Sequence, residues 1–451
     1  MPFIIGANSA GGDFSVDNSC KFNRAGSAYM HITPGGAGST TTFTFSAWLK
    51  RGTITSNQMF FEVGAGGTSD DFLFYFHSGD TVKIFDYDGG GTNIAILTNQ
   101  VFRDPSAWYH LVLGVDTTQV TDTNRVKLYV NGTQVTSLAT ATYPVQDFVL
   151  DVNSTDTHWI GRRGDGVDYF DGYMAEVCLI DGTQYAASDF GEFNEDSPTI
   201  WQPKSVSGLT FGTNGFYLDF EDSSDLGKDV SGNGNDLTAV NITATDQATD
   251  TPGNNFNVLN AIHPTAANFT ISEGATKITV TGSGHNLGGY LATLMPTTGK
   301  WYFEAKIDEA GDGDRGRVGL ANYESVTGTS VIQGNYSGLE VSLKAAKLFV
   351  TINGTTTETT ASGDYADGDI VNIAMDLDNN AIYVGRNGTW LTLTGTSGGD
   401  PTSGASKTGA IVTDTTYILN GGPMCTYFGS YVGGVSDTTT VSFNFGNPAF
   451  T

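Results

Sequence analysis

The stretch Phe43-Thr44-Phe45-Ser46-Ala47-Trp48-Leu49 decides the fold. Its period is two: Phe43, Phe45 and Leu49 share one face, and Trp48 has the opposite parity. A strand points successive side chains to opposite faces, so this stretch reads as a strand with one apolar face turned to a core. The reading extends outward. Trp108 to Val115 puts Tyr109, Leu111, Leu113 and Val115 on one face, and Val126 to Val130 runs into Asn131-Gly132. Asn-Gly tolerates positive φ at both positions, which a two-residue hairpin requires. No long segment of period 3.6 interrupts these strands.

Composition agrees. The 451 residues include 59 glycines and abundant threonine, with 39% apolar and 15% charged residues. Glycine costs backbone entropy in a helix, and threonine loses χ1 freedom there. The expected class is all-β: two successive antiparallel β-sandwich, jelly-roll-like domains joined by a short connector. Residues 1–14 read as an N-terminal arm, broken early by Gly6, Gly11 and Gly12. The first sandwich is expected over 15–200. A connector packed on it spans 201–262, opened by Trp201-Gln202-Pro203 and holding one strand at Tyr217-Leu218-Asp219-Phe220. The second sandwich spans 263–451. There Trp301, Phe303, Ala305 and Ile307 are in step, as are Ile373, Met375 and Leu377, and Val441, Phe443 and Phe445. Asp378-Asn379-Asn380 and Asn387-Gly388 mark turns.

The formal charge is −27, from 48 acidic against 21 basic residues, and the densest basic site is the pair Arg162-Arg163. Binding a nucleic-acid duplex requires clustered cations that displace counterions, so that partner is excluded. The acidity fits solubility, or loops that hold calcium. No run of about 18 apolar residues occurs, so no membrane insertion by a helix is expected. The N-terminus lacks a cation before Lys21 and so lacks the head of a secretory signal; synthesis in a cytoplasm is expected. Cys20, Cys178 and Cys425 do not make a disulfide framework. If the first and last strands of the first domain pair, Cys20 and Cys178 come near one another, as a bridge or as buried thiols.

Several motifs carry a resemblance. FTFSAWLKRG (43–52), WYHLVLGVD (108–116), NRVKLYVNGTQV (124–135) and HWIGRRGDGVDYFDGYMAEVCLIDG (158–182) together resemble a laminin-G-like, concanavalin-A-like jelly roll. GKWYFEAKI (299–307), RVGLA (317–321), GDIVNIAMDLDNNAIYVGRNGTW (368–390) and VSFNFGNPAF (441–450) resemble a SPRY domain. This order, bridged by FYLDFEDSSDLGKDVSGNGNDLTAVNI and TPGNNFNVLN, is similar to virion proteins of tailed phages, marine ones especially. The resemblance implies a fibre, appendage or capsid decoration on the virion surface. It would seat on other virion proteins through the arm, bind a host cell-surface glycan, and form a homo-oligomer, with a trimer as the guess. A purely structural cement is the alternative. Without heptads or a repetitive shaft, a compact appendage fits better than a fibre.

Catalysis finds little support. Glucanases of the concanavalin-A-like fold use an E-x-D-x-x-E strand, which this sequence lacks. Asp219 and Glu221 alternate on one strand and read as solvated edge carboxylates. The six histidines are scattered, with neither H-E-x-x-H nor cysteine at zinc spacing, and G-x-S-x-G is missing. The chain reads as a non-enzyme that requires no cofactor.

Calcium is the one cofactor the loops raise. Asp229-x-Ser231-x-Asn233-Gly234, followed by Asn235, supplies oxygen acceptors at alternate positions and then glycine. The later bidentate glutamate is replaced by Val240, so a plain Gly-rich turn is the other reading. Asp165, Asp168 and Asp171 form a second acidic loop. Sugars stack on exposed aromatic faces. Trp48, by its parity, is a candidate platform on a concave sheet, with Tyr75, Tyr87, Trp159 and Tyr169 as further candidates. For the second domain the SPRY resemblance implies ligand-holding loops at one end of the sandwich, which would include Asn322-Tyr323-Glu324 and the loop around Tyr336.

Overall fold

The computed structural model describes residues 14–67, 70–262, 269–284, 288–311, 316–322, 326–327, 330–331, 338–344, 347–352, 355–360, 363–413, 424–430 and 433–446. The arm, apart from Phe14, lies outside these residues, as do Tyr323, Glu324 and Tyr336. Among the described residues the regular structure is β-strand with short 3-10 turns. Two compact units divide between Phe256 and Asn257.

In the first unit the strands are β1 (Ser19–Phe22), β2 (Tyr29–Ile32), β3 (Thr42–Arg51), β4 (Gln58–Val63), β5 (Asp71–Phe76) and β6 (Thr81–Asp88). They continue with β7 (Gly91–Val101), β8 (Trp108–Asp116), β9 (Val126–Val130), β10 (Thr133–Gln134), β11 (Leu138–Thr142) and β12 (His158–Ile160). Last come β13 (Gly172–Asp181), β14 (Gly191–Phe193), β15 (Trp201–Pro203), β16 (Phe216–Leu218), β17 (Thr238–Val240) and β18 (Gln247–Ala248). One sheet has the order β10-β9-β8-β3-β13-β1-β18, with β16 also on β13; the other runs β11-β7-β6-β5-β4-β12-β2-β17.

The core lies between these sheets. Phe43, Phe45 and Leu49 of β3 are fully buried. Phe45 stacks on Phe61 with centroids 4.6 Å apart, and Phe43 meets Phe72 edge-on at 5.4 Å. Leu111, Leu113 and Val115 join them from β8, and Tyr109 packs at the margin. The hairpin expected at Asn131-Gly132 forms between β9 and β10, with φ of 45° and 80°. Both positions are left-handed, which is why asparagine and glycine stand there.

The stretch read as a connector is largely part of this sandwich. β16 pairs with β13, β17 extends one sheet beyond β2, and β18 extends the other beyond β1. Its end is held by a buried clasp. The Lys50 ammonium donates to Asp250 Oδ2 and Asn255 Oδ1, each at 2.7 Å, and to the Phe256 carbonyl at 2.8 Å.

The possible Cys20–Cys178 bridge is corrected here. β1 and β13 do pair, but Cys20 stands opposite Met174, and Cys178 lies beyond the register shift that follows Ala175. All three cysteines are free and buried.

The second unit has its own core between two sheets. One sheet runs Phe269–Ser272, Lys277–Gly284, Gly433–Asn444, Lys300–Glu309, Ile370–Asp376, Ala381–Arg386, Thr389–Trp390. The other runs Gly288–Leu291, Met424–Ser430, Gly316–Asn322, Gly338–Ser342, Lys347–Ile352, Thr355–Thr360. Phe303, Ala305, Ile307, Ile373, Met375, Leu377, Val441 and Phe443 are buried there, as their alternation requires.

Candidate functional site

On β5 and β6 of the first unit, Phe72, Phe74, Phe76, Val82 and Ile84 take the core face and are fully buried. Strand alternation then turns Asp71, Leu73, Tyr75, Lys83, Phe85 and Tyr87 to the outer face. The register sets Tyr75 opposite Lys83, Leu73 opposite Phe85 and Asp71 opposite Tyr87. The loop after β12 folds over this face. Arg163 N–H donates to the Val167 carbonyl at 3.0 Å, and Gly166 N–H to the Arg163 carbonyl at 2.9 Å, which closes a tight turn. Two bonds staple that turn to β4: Gly164 N–H to Glu62 Oε2 at 2.9 Å, and Met59 N–H to the Asp168 carbonyl at 2.8 Å.

The result is a cavity of about 390 Å³. Leu73, Tyr75, Phe85 and Tyr87 form its floor, and Asn57, Met59, Gly67, Asp71, Lys83, Arg163 and Asp168 line the rest. Burial, reinforced by the Asp168 charge and opposed by Arg163, pushes the Tyr75 hydroxyl up to about 12. Burial also raises the Asp71 carboxyl, against a hydrogen bond from Gly66 N–H at 2.9 Å. Tyr75 therefore stays a neutral hydroxyl. Flat apolar rings beside a carboxylate, an amide and an ammonium suit a ligand that is apolar on one face and rich in hydroxyls at its edge.

Residues 24–186 match the Concanavalin A-like lectin/glucanases superfamily. The matched residues lie in the first unit and include the whole lining of the cavity. A search of the curated proteins finds no match. Among solved structures the chain is similar to the SPRY domain of human HERC1, at 15% identity over 40% of this chain and 92% of that one, TM-score 0.28. It is also similar to a candidate carbohydrate binding protein from Bacteroides ovatus, at 18% identity over 51% of this chain and 60% of that one, TM-score 0.36. The LG1-3 region of the laminin alpha2 chain is similar at 10% identity over 98% of this chain and 65% of that one, TM-score 0.34.

The first unit sorts the aromatic candidates into three groups. Tyr75 and Tyr87 come together in the cavity, with Asp168 beside them. Trp159 and Tyr169 form a neighbouring cluster with Tyr29 and His31. The Arg162 guanidinium lies 3.9 Å from the Tyr29 ring centre and 4.1 Å from that of Trp159, so the protein's own cation covers these rings. Trp48 is the correction. It points away from the core as its parity requires, but on the other sheet, where only 2% of it is exposed. It stacks on His110 at 4.6 Å and packs with Val16, Trp108, Tyr173 and Ala248. Chain from positions 16 and 248 roofs the face that the alternation leaves open, so Trp48 offers no platform.

Of the loop oxygens expected to face calcium, those of Asp229 and Ser231 are engaged within the protein. Asp229 Oδ1 accepts N–H groups of Tyr217 and Ser231 at 2.9 and 2.8 Å, and Oδ2 accepts the Ser231 hydroxyl and Asn235 N–H, both at 2.9 Å. The amides of Asn233 and Asn235 both donate to the Gly215 carbonyl. This loop is a hydrogen-bonded clamp on the start of β16. Asp171 is buried and accepts the Thr53 hydroxyl at 2.6 Å, while Asp165 pairs with Arg163 at 3.4 Å. The three aspartates therefore do not converge. Among the described residues no group of three or more His, Cys, Asp or Glu side chains is placed to hold a metal ion.

Leu73, Lys83 and Phe85 are cavity residues that the sequence patterns did not single out, and Arg163 stood out only as part of a basic pair. The signal was present in Thr81–Asp88, where Lys83, Phe85 and Tyr87 alternate with Val82 and Ile84.

Under the stapled loop, Glu62 is fully buried, and its Oε1 has no hydrogen-bond partner. Burial, opposed by the Gly164 hydrogen bond, pushes its carboxyl from 4.5 up to about 8. A raised acid contributes stability that is complete below its unfolded value and is lost as pH rises through its folded one. Glu62→Gln keeps an acceptor for Gly164 without the charge. The variant is expected to gain little over the wild type at pH 4 and most above pH 8, read from melting temperatures at both. An equal gain at both pH values would refute the assignment.

Proposed function

We propose that this chain is a non-enzymatic carbohydrate-binding protein whose lectin domain seats a sugar in the cavity over β5 and β6. The observation that carries this reading is the joining of Tyr75, Phe85 and Tyr87 with Asp168 and Asn57 around one cavity of about 390 Å³. Ring faces of a sugar lie on the aromatic floor, while its hydroxyls donate to the aspartate and exchange hydrogen bonds with the asparagine. The motif order of the sequence, similar to that of tailed-phage virion proteins, supports display on a virion surface. There the chain sits against other virion proteins and offers the cavity to host-surface glycans.

A glycan array probed with the whole protein tests the reading. Binding of at least one glycan family is expected, and Phe85→Ala should weaken it by roughly tenfold, the worth of one aromatic contact. A folded wild-type protein that binds nothing on the array, nor intact host cells, would replace this reading with that of a structural cement.

A further inference from the structure

We infer that the cavity of the lectin domain selects sugars that carry a carboxylate, and that Lys83 is the residue that receives it; this rests on the carbohydrate reading above. The chain has 48 acidic residues for 21 basic ones, so a lysine has abundant partners to choose from. The buried cations of this unit take them: Lys50 pairs with Asp250 at 2.7 Å and Arg51 with Asp80 at 3.2 Å. Among the described residues, Lys83 takes none. Its ammonium is held between rings, 4.5 Å from the centre of Phe85 and 6.0 Å from that of Tyr75, at the wall of the cavity. Aromatic faces attract a cation and fix its position without neutralising it.

The remaining charges of the cavity divide by role. Asp71 is only 6% exposed and is turned into the wall, where it accepts the Gly66 N–H. The Arg163 guanidinium adds a second cation to the lining and is shared with Asp165. Asp168 is left to accept sugar hydroxyls. Burial lowers Lys83 below the usual lysine range, a sign that its ammonium is already partly stripped of water. A neutral sugar would complete that stripping and provide no counter-charge, whereas a carboxylate would pair with the ammonium in a partly dry setting. Discrimination of this kind is large, because a site built around a charged contact penalises a ligand that lacks it.

The test compares each acid with its own neutral form. Galacturonate, glucuronate and sialic acid oligosaccharides, each beside its methyl ester, are titrated calorimetrically into the whole protein and into Lys83→Gln, at low and high salt. At least one acid should bind the wild type tenfold or more tightly than its ester, with the gap narrowing in salt. Lys83→Gln should lose that gap, and a circular dichroism spectrum and melting temperature like those of the wild type report that the variant is folded. Esters that bind as well as acids, or a gap that survives in Lys83→Gln, would overturn the inference and leave the carbohydrate reading standing. A protein that binds no acid but takes neutral glycans on the array would likewise overturn the inference alone. Failure to bind any glycan sinks both.

Discussion

Lys50→Met is expected to lower the unfolding free energy of the first unit by about 3–5 kcal/mol, the loss that follows when one partner of a buried ion pair is removed. Lys50 is 1% exposed and Asp250 is fully buried. Burial lowers the lysine and raises the aspartate, and each charge opposes that shift in the other. The pair survives because its remaining capacity is used. Asp250 Oδ1 accepts the Trp108 indole N–H at 3.0 Å, and the Ser19 hydroxyl donates to the Asp250 carbonyl at 2.6 Å. Methionine fills the space of the lysine but leaves the aspartate charged and alone, and leaves Asn255 Oδ1 and the Phe256 carbonyl without their donor. Urea unfolding followed by tryptophan fluorescence suits the measurement, because Trp48, Trp108, Trp159 and Trp201 lie in this unit. The double variant Lys50→Met with Asp250→Asn should recover part of the loss, since the stranded charge is gone. A loss below about 1 kcal/mol for the single variant would show that the clasp is dispensable.

Phe45→Ala should cost a similar amount, about 3–5 kcal/mol, for a different reason. Phe45 is fully buried, stacks on Phe61 at 4.6 Å and 15°, and meets Phe74 edge-on at 6.0 Å. Its removal forfeits transfer energy and opens a cavity between sheets that the flanking hydrogen-bond ladders keep from collapsing. Phe45→Leu retains most of the volume and should cost clearly less. The same urea experiment distinguishes them, and equal losses would show that the ring geometry carries the stability rather than the filled volume.

The parts of this molecule that could be read from sequence are those set by neighbours along the chain. Period-two alternation placed Phe43, Phe45 and Leu49 in the core because the pleat leaves no choice. Asn131-Gly132 named its hairpin because few residues accept positive φ twice in succession. What could not be read depends on distant chain. Trp48 was placed on the correct side of its strand, yet nothing local announces that Val16 and Ala248 roof it. The Asp229 loop has the composition of a cation site, and only the fold reveals that N–H groups of Tyr217, Ser231 and Asn235 donate to the Asp229 carboxylate. The candidate site was half legible. Tyr75 and Tyr87 stood out as aromatic residues, but the lysine and phenylalanine between them in space draw their meaning from register, which sequence alone does not supply.

β17 and β18 have a consequence for how the protein is made. They cover β1 and β2 and become the outermost strands at one end of each sheet, and the Ser19 bond beside the second of them spans 231 positions of chain. At roughly 5–20 residues per second, a ribosome takes several seconds to deliver the final sixty or so residues of this unit. During that interval β1 and β2 present bare backbone, the condition under which strands of neighbouring nascent chains pair with one another. A fragment ended near residue 200 would remain in that condition permanently, so recombinant work on the first unit should retain the chain through Phe256.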